Sequence, residues 1–186
     1  VLSGRAIWYK PSMPVMFILS AVAAGVSATL LATMITSKLI GRDLIDKYLR
    51  RDIAKLAAFV LLAYMYLKIW DWAATSYYSH DPAVVDALTR LQATTPYTQS
   101  FWLVEIVLGG LVPALILLNR SMRRKQWPLM GALFLVIFGV IMNRWNVTLS
   151  GLVVPPNWSP GVLGTTIAVT YVPSWVEVAV SIGVLG

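Results

Sequence analysis

Long apolar runs recur along this chain, and they constrain its fold more tightly than any motif does. One of them, MFILSAVAAGVSATLLATMI, carries no charge over twenty residues. A run of that length matches the hydrocarbon thickness of a bilayer. Lipid offers nothing to a backbone N–H or C=O, so a spanning run satisfies its own polar groups as a helix. Five such spans can be read: 12–40, 53–78, 100–119, 128–149 and 172–186. The last stops at VSIGVLG, still apolar and short of a full crossing, and the sequence does not begin with Met. The expectation is an all-α polytopic transmembrane helix bundle, a single domain over 1–186, with four complete spans and a truncated fifth, cut from a longer subunit. Composition agrees. Only 12% of residues are charged, against about 25% in soluble domains.

The breaks between spans give punctuation and orientation. Pro11 and Pro14 suit the start of the first helix, and Pro113 predicts a kink in the third. After the second span, DPAVVDALTRLQ reads as a short surface helix over 82–93, with Asp81 as cap and Pro82 in the first position. VPPNWSPGVLGTT, after the fourth span, is a Pro/Gly-rich excursion. Lys38, Arg42, Lys47, Arg50, Arg51 and Lys55 crowd around the first loop, and Arg120, Arg123, Arg124 and Lys125 around the third. The positive-inside rule then places loops 41–52 and 120–127 in the cytoplasm, and loops 79–99 and 150–171 in the periplasm of a bacterial or archaeal inner membrane. Trp8, Trp70, Trp72, Trp102, Trp145, Trp158 and Trp175 fall towards the outer ends, and Trp127 marks the inner boundary. The net charge of +7 is thus topological, not a nucleic-acid footprint. Two rows of small residues in the first span, Ser20/Ala24/Ala28 and Ala21/Gly25/Thr29, predict close helix packing and no chemistry.

Against this apolar background the chemistry-bearing residues stand out. Asp71, Glu105, Arg144 and Glu177 lie on four different spans, each about 7–11 Å in from the outer end at 1.5 Å per residue. A lone charge at membrane depth costs about 2.5–3.5 kcal/mol or more, and a shared depth lets opposite charges offset that cost. Arg144 is expected to pair with Glu105 or Glu177, with its neighbours Asn143 and Asn146 completing the set. Lys68, three residues before Asp71, is expected to pair with it locally. Two readings remain open: a static ion-pair network holding the bundle, or a proton route or quinone head-group site. His80, the single histidine, reads as an exposed loop residue or a proton-entry residue. One histidine and Cys 0 exclude bis-histidine haem, disulfides, iron–sulfur ligation and zinc–thiolate sites built from these residues alone. No P-loop, dinucleotide fingerprint, zincin motif or nucleophile elbow occurs.

Three stretches, taken in order, carry a family resemblance: WYKPSMPVMFILSAVAAG, then FWLVEIVLGGLVP, then NRWNVTLSGL followed by YVPSWVEVAVSIG. Together they resemble the NrfD/PsrC-type (polysulfide reductase membrane subunit) family, nearest its HybB-like branch. The resemblance implies a subunit of eight to ten helices in two four-helix bundles, of which this sequence would hold the second. It implies no covalently or metal-bound cofactor of its own and menaquinone or ubiquinone as diffusible carrier, bound mainly in the first bundle. It implies an iron–sulfur partner subunit and a catalytic subunit of hydrogenase, molybdopterin or multihaem type. Glu105, Arg144 and Glu177 fall on family motif positions; Asp71, Lys68 and His80 are candidates on physical grounds alone. The expected function is that of an integral membrane subunit of a quinone-coupled respiratory oxidoreductase, anchoring its partners and supporting electron transfer, with proton translocation open. The alternatives are a purely structural anchor or a secondary transporter, the latter disfavoured by charges near one face and by the lack of a repeat.

Overall fold

The structure, a computed structural model, describes residues 10, 12–78, 98–153, 174–177 and 179–180. The surface helix expected over 82–93 and His80 lie outside them, as does most of the fifth span. Helices account for nearly all the described residues, and none of these is in a strand.

Helix α1 is Met13–Ile40, with Pro14 in its first turn and Gly41 closing it at φ 71°. That left-handed conformation suits glycine, which has no Cβ to clash. Helix α2, Lys47–Tyr78, begins six residues before the expected span. Hydropathy locates the lipid-buried part of a helix, whereas the polar KYLRRD turn continues it into water. Asp46 holds this start: its Oδ2 accepts from the Tyr48 N–H at 3.2 Å, and its carbonyl accepts from the Arg50 N–H at 3.0 Å. Helix α3 covers Gln99–Leu118. It is wound with i→i+5 hydrogen bonds over Gln99–Leu111 and as an α-helix over Val112–Leu118. The third loop is itself a helical turn, α4, Arg120–Arg124, capped by Asn119, whose side chain accepts from the Ser121 and Met122 N–H groups. Helix α5, Gln126–Val153, overruns its expected span at both ends. Four of these helices are long and apolar enough to cross a membrane, and the protein is an integral multi-pass membrane protein.

The four long helices form a ring in which α1 packs on α2 and α5, and α3 packs on the same two. The inward line of α1 is Met16, Ser20, Ala23, Ser27, Leu30 and Met34, an alternating four-and-three spacing typical of bundle seams. This corrects the expected small-residue rows. Ala21, Gly25, Ala28 and Thr29 face outward, and a Cβ at Gly25 would meet nothing. Small residues do set the helix spacing, but on the opposite pair of helices. A Cβ added at Gly109 of α3 would fall on the Cα of Gly139 of α5. The two backbones therefore cross in direct contact, which only glycine at both positions permits. Ala54, Ala57, Ala58 and Leu61 of α2, with Leu129, Ala132, Leu133 and Val136 of α5, complete an apolar core. That core fills the half of the bundle nearest the basic loops. The other half is polar inside.

Candidate functional site

The polar half is organised around Glu105, which is 3% exposed. It sits in the i→i+5 stretch of α3, where Glu105, Gly109 and Gly110 all face inward. Across from it, α2 presents Tyr64 and Lys68, one helical turn apart. The Lys68 ammonium lies 2.5 Å from Glu105 Oε1, with 12% and 2% of their side chains exposed. Tyr64 donates its hydroxyl to the same oxygen at 3.4 Å. From α5, Asn146 Nδ2 donates to Glu105 Oε2 at 2.7 Å, and Asn143 Oδ1 accepts from Lys68 at 2.6 Å. Ser100 in turn donates to Asn146 Oδ1 at 2.7 Å. Both carboxylate oxygens and the ammonium thus have partners, which is what a buried ion pair needs to offset its desolvation.

Two further charges flank this centre. Arg144 of α5 turns to α1: its Nη2 donates to the Phe17 carbonyl at 3.1 Å and to Ser20 Oγ at 3.2 Å. Its guanidinium lies 3.6 Å from the centre of the Phe17 ring. Nearer the helix ends, Asp71 of α2 pairs with Lys10 at 2.9 Å and accepts from Ser12 Oγ at 2.6 Å. Lys10 also donates to Thr75 Oγ1 at 2.8 Å. Tyr64, Lys68, Asp71 and Thr75 therefore form one stripe of α2, at spacings of four, three and four.

The family model described as polysulphide reductase, NrfD, matches residues 1–156. The chain belongs to the NrfD family. One relative is a menaquinone reductase integral membrane subunit of Nitratidesulfovibrio vulgaris, 27% identical over 98% of this chain and 43% of the relative. Another, from Halobacterium salinarum, carries the name of a dimethyl sulfoxide reductase membrane subunit and is 27% identical over 98% of this chain and 44% of the relative. The chain therefore spans less than half the length of these curated relatives. No solved structure gives a significant match.

In this NrfD chain Asp71, Lys68, Glu105 and Arg144 are drawn into polar contacts inside the bundle, but with other partners than expected. Glu105 takes Lys68 rather than Arg144, and Asp71 takes Lys10 rather than Lys68. Asn143 and Asn146 serve Lys68 and Glu105 rather than Arg144. The cause is rotational: Asn143 and Arg144 are adjacent on α5, so their side chains point about 100° apart, one at α2 and the other at α1. Glu177, exposed, forms a reciprocal pair with Ser174: its Oε2 accepts from the Ser174 N–H at 2.8 Å, and Ser174 Oγ accepts from the Glu177 N–H at 3.4 Å. That is a capping box, and S-x-x-E was legible in PSWVE. Sequence reasoning passed over Tyr64, Ser100, Phe17, Lys10 and Ser12, and gave Ser20 a packing role only. Tyr64 had a signal, four residues before Lys68; Phe17 had none.

The described residues place no three His, Cys, Asp or Glu side chains together as a metal cluster. Lys68, Tyr64 and Asn146 already donate to Glu105 or its neighbours, so this centre has few donors left for a quinone carbonyl. Its chemistry is that of a compensated acid–base pair in low dielectric. One proton moved from Lys68 to Glu105 turns two buried charges into two neutral groups.

Proposed function

We propose that this NrfD chain is part of the membrane subunit of a quinone-linked oxidoreductase complex, and that the Lys68–Glu105 pair carries protons within it. Family membership and the two reductase membrane-subunit relatives support the complex. In this reading an iron–sulfur subunit and a catalytic subunit supply the redox centres, and menaquinone or ubiquinone is the diffusible carrier, bound mainly outside these 186 residues.

The observation that carries the proton reading is the α2 stripe. Tyr64, Lys68, Asp71 and Thr75 run from the buried centre towards the helix end. Intramembrane ionisable groups aligned in this way mark proton relays. The Lys68 ammonium touches Glu105 Oε1, so a proton has a direct path between the two groups. The test is the complete complex reconstituted in liposomes, with quinone-dependent turnover and dye-detected proton uptake measured together. E105Q and K68M should each lower proton uptake per electron by more than half. A second reading, a static pair that locks α2, α3 and α5, is favoured by how fully Glu105 is hydrogen-bonded. Unchanged proton uptake and turnover in folded E105Q and K68M complexes would leave that reading standing alone.

A further inference from the structure

At the opposite end from the Glu105 centre, α2 and α4 enclose a cavity of about 430 Å³ lined by Arg51, Lys55, Arg120, Arg123 and Arg124. Its single carboxylate, Asp52, is already paired with Lys55 at 2.8 Å. We propose that this cavity is a binding site for the phosphate of an anionic phospholipid.

Five cations facing one engaged carboxylate repel one another, and an anion brought among them relieves that repulsion. Two of its members are held in place, while Lys55, Arg120 and Arg124 reach into solvent. Arg123 is only 8% exposed, and its Nη1 donates to the Leu117 carbonyl at 2.6 Å, at the end of α3. The Nε of Arg51 is buried with no hydrogen-bond partner among the described residues. Arginine forks match phosphate oxygens two at a time, and with water at about 30 Å³ of liquid volume the cavity is roomier than one oxyanion needs.

The surroundings favour a lipid over a free anion. The cavity lies where the apolar core ends, with Ala54, Ala57 and Leu117 fully buried beside it. Just beyond, Leu56 and Leu118 are exposed on the outer faces of α2 and α3, where acyl chains would lie. Trp127, 72% exposed beneath the Lys38 ammonium at 3.8 Å, stands at the same end, as interfacial tryptophans do. Charge and apolar surface are thus arranged in the order of a phospholipid's two parts. Basic pockets between membrane helices are suited to anionic head groups.

The test uses the full-length protein in neutral detergent. Native mass spectrometry should retain phosphatidylglycerol in preference to phosphatidylcholine at equal supply. Dihexanoyl-phosphatidylglycerol should raise the unfolding temperature saturably, and R51Q/R120Q/R124Q should weaken its apparent affinity at least tenfold. R51K/R120K/R124K, which keeps the charge, should stay within about threefold. The preference of the unmutated protein can be read even where the glutamine variant does not fold. Equal retention of the two lipids overturns the proposal, as does equal stabilisation by inorganic phosphate. So does an unchanged phosphatidylglycerol affinity in the glutamine variant, including the case where that variant instead releases a soluble subunit with an acidic surface.

Discussion

Single side chains decide how this bundle tolerates its charges. Glu105 is the most exposed to error, because nothing else on α3 could serve Lys68. Removing one member of a buried pair strands the other, at about 3–5 kcal/mol. E105A should therefore lower thermal stability in detergent far more than K68M/E105L, which removes both charges and keeps the volume. Equal losses in the two would show that the pair is not buried as described. Arg144 calls for a different partner test. Its contacts are with Phe17 and Ser20 on α1, so R144A and F17L should couple by about 0.5–2 kcal/mol in a double-mutant cycle, while R144A and E105Q should be close to additive. That inverts what the sequence suggested. Of the charged residues at this level, Lys68, Asp71, Glu105 and Arg144 stood out in it, and Lys10 did not. Their partners were not visible, because neighbours on one helix differ by about 100° in direction, and no residue count gives the rotation of one helix against another.

At the scale of helices, the crossing of α3 and α5 is the tightest joint in the molecule. G139A and G109A each place a methyl group against backbone, and backbone has no rotamer with which to yield. Each should destabilise by at least the about 1–3 kcal/mol typical of overpacking. Gly110 is the internal comparison. A Cβ there meets the side chain of Met65, a flexible thioether that can move aside. Thermal unfolding of the three alanine variants should rank G110A mildest, and a loss in G110A as large as in G139A would count against the crossing. The four long helices were legible from hydropathy, with ends displaced where polar turns such as KYLRRD continue a helix beyond lipid. The i→i+5 winding before Pro113 was not legible. GGLVP announced a disturbance in the helix, but the neighbouring helices decide which form of it is tolerated.

For the molecule as a whole, the two basic loops meet at one end. Arg51 and Lys55 share a cavity with Arg120, Arg123 and Arg124, as alternating spans require. On a background free of other cysteines, R42C and R124C should react with an impermeant maleimide from one and the same side of the membrane, and S76C only from the other. Labelling of R42C and R124C from different faces would break the topology. Hydropathy, charge placement and residue order in the sequence determined that this chain crosses the membrane as helices, that its basic loops lie on one side, and that it belongs with the NrfD subunits. Those properties follow from local chemistry, since each run of side chains meets lipid or water on its own terms. Tertiary structure alone decided that Lys68 serves Glu105, that Arg144 turns to α1, and that Gly109 rests on Gly139. Such pairings depend on how four helices rotate and settle against each other, and that is fixed by packing over the whole bundle rather than by any segment within it.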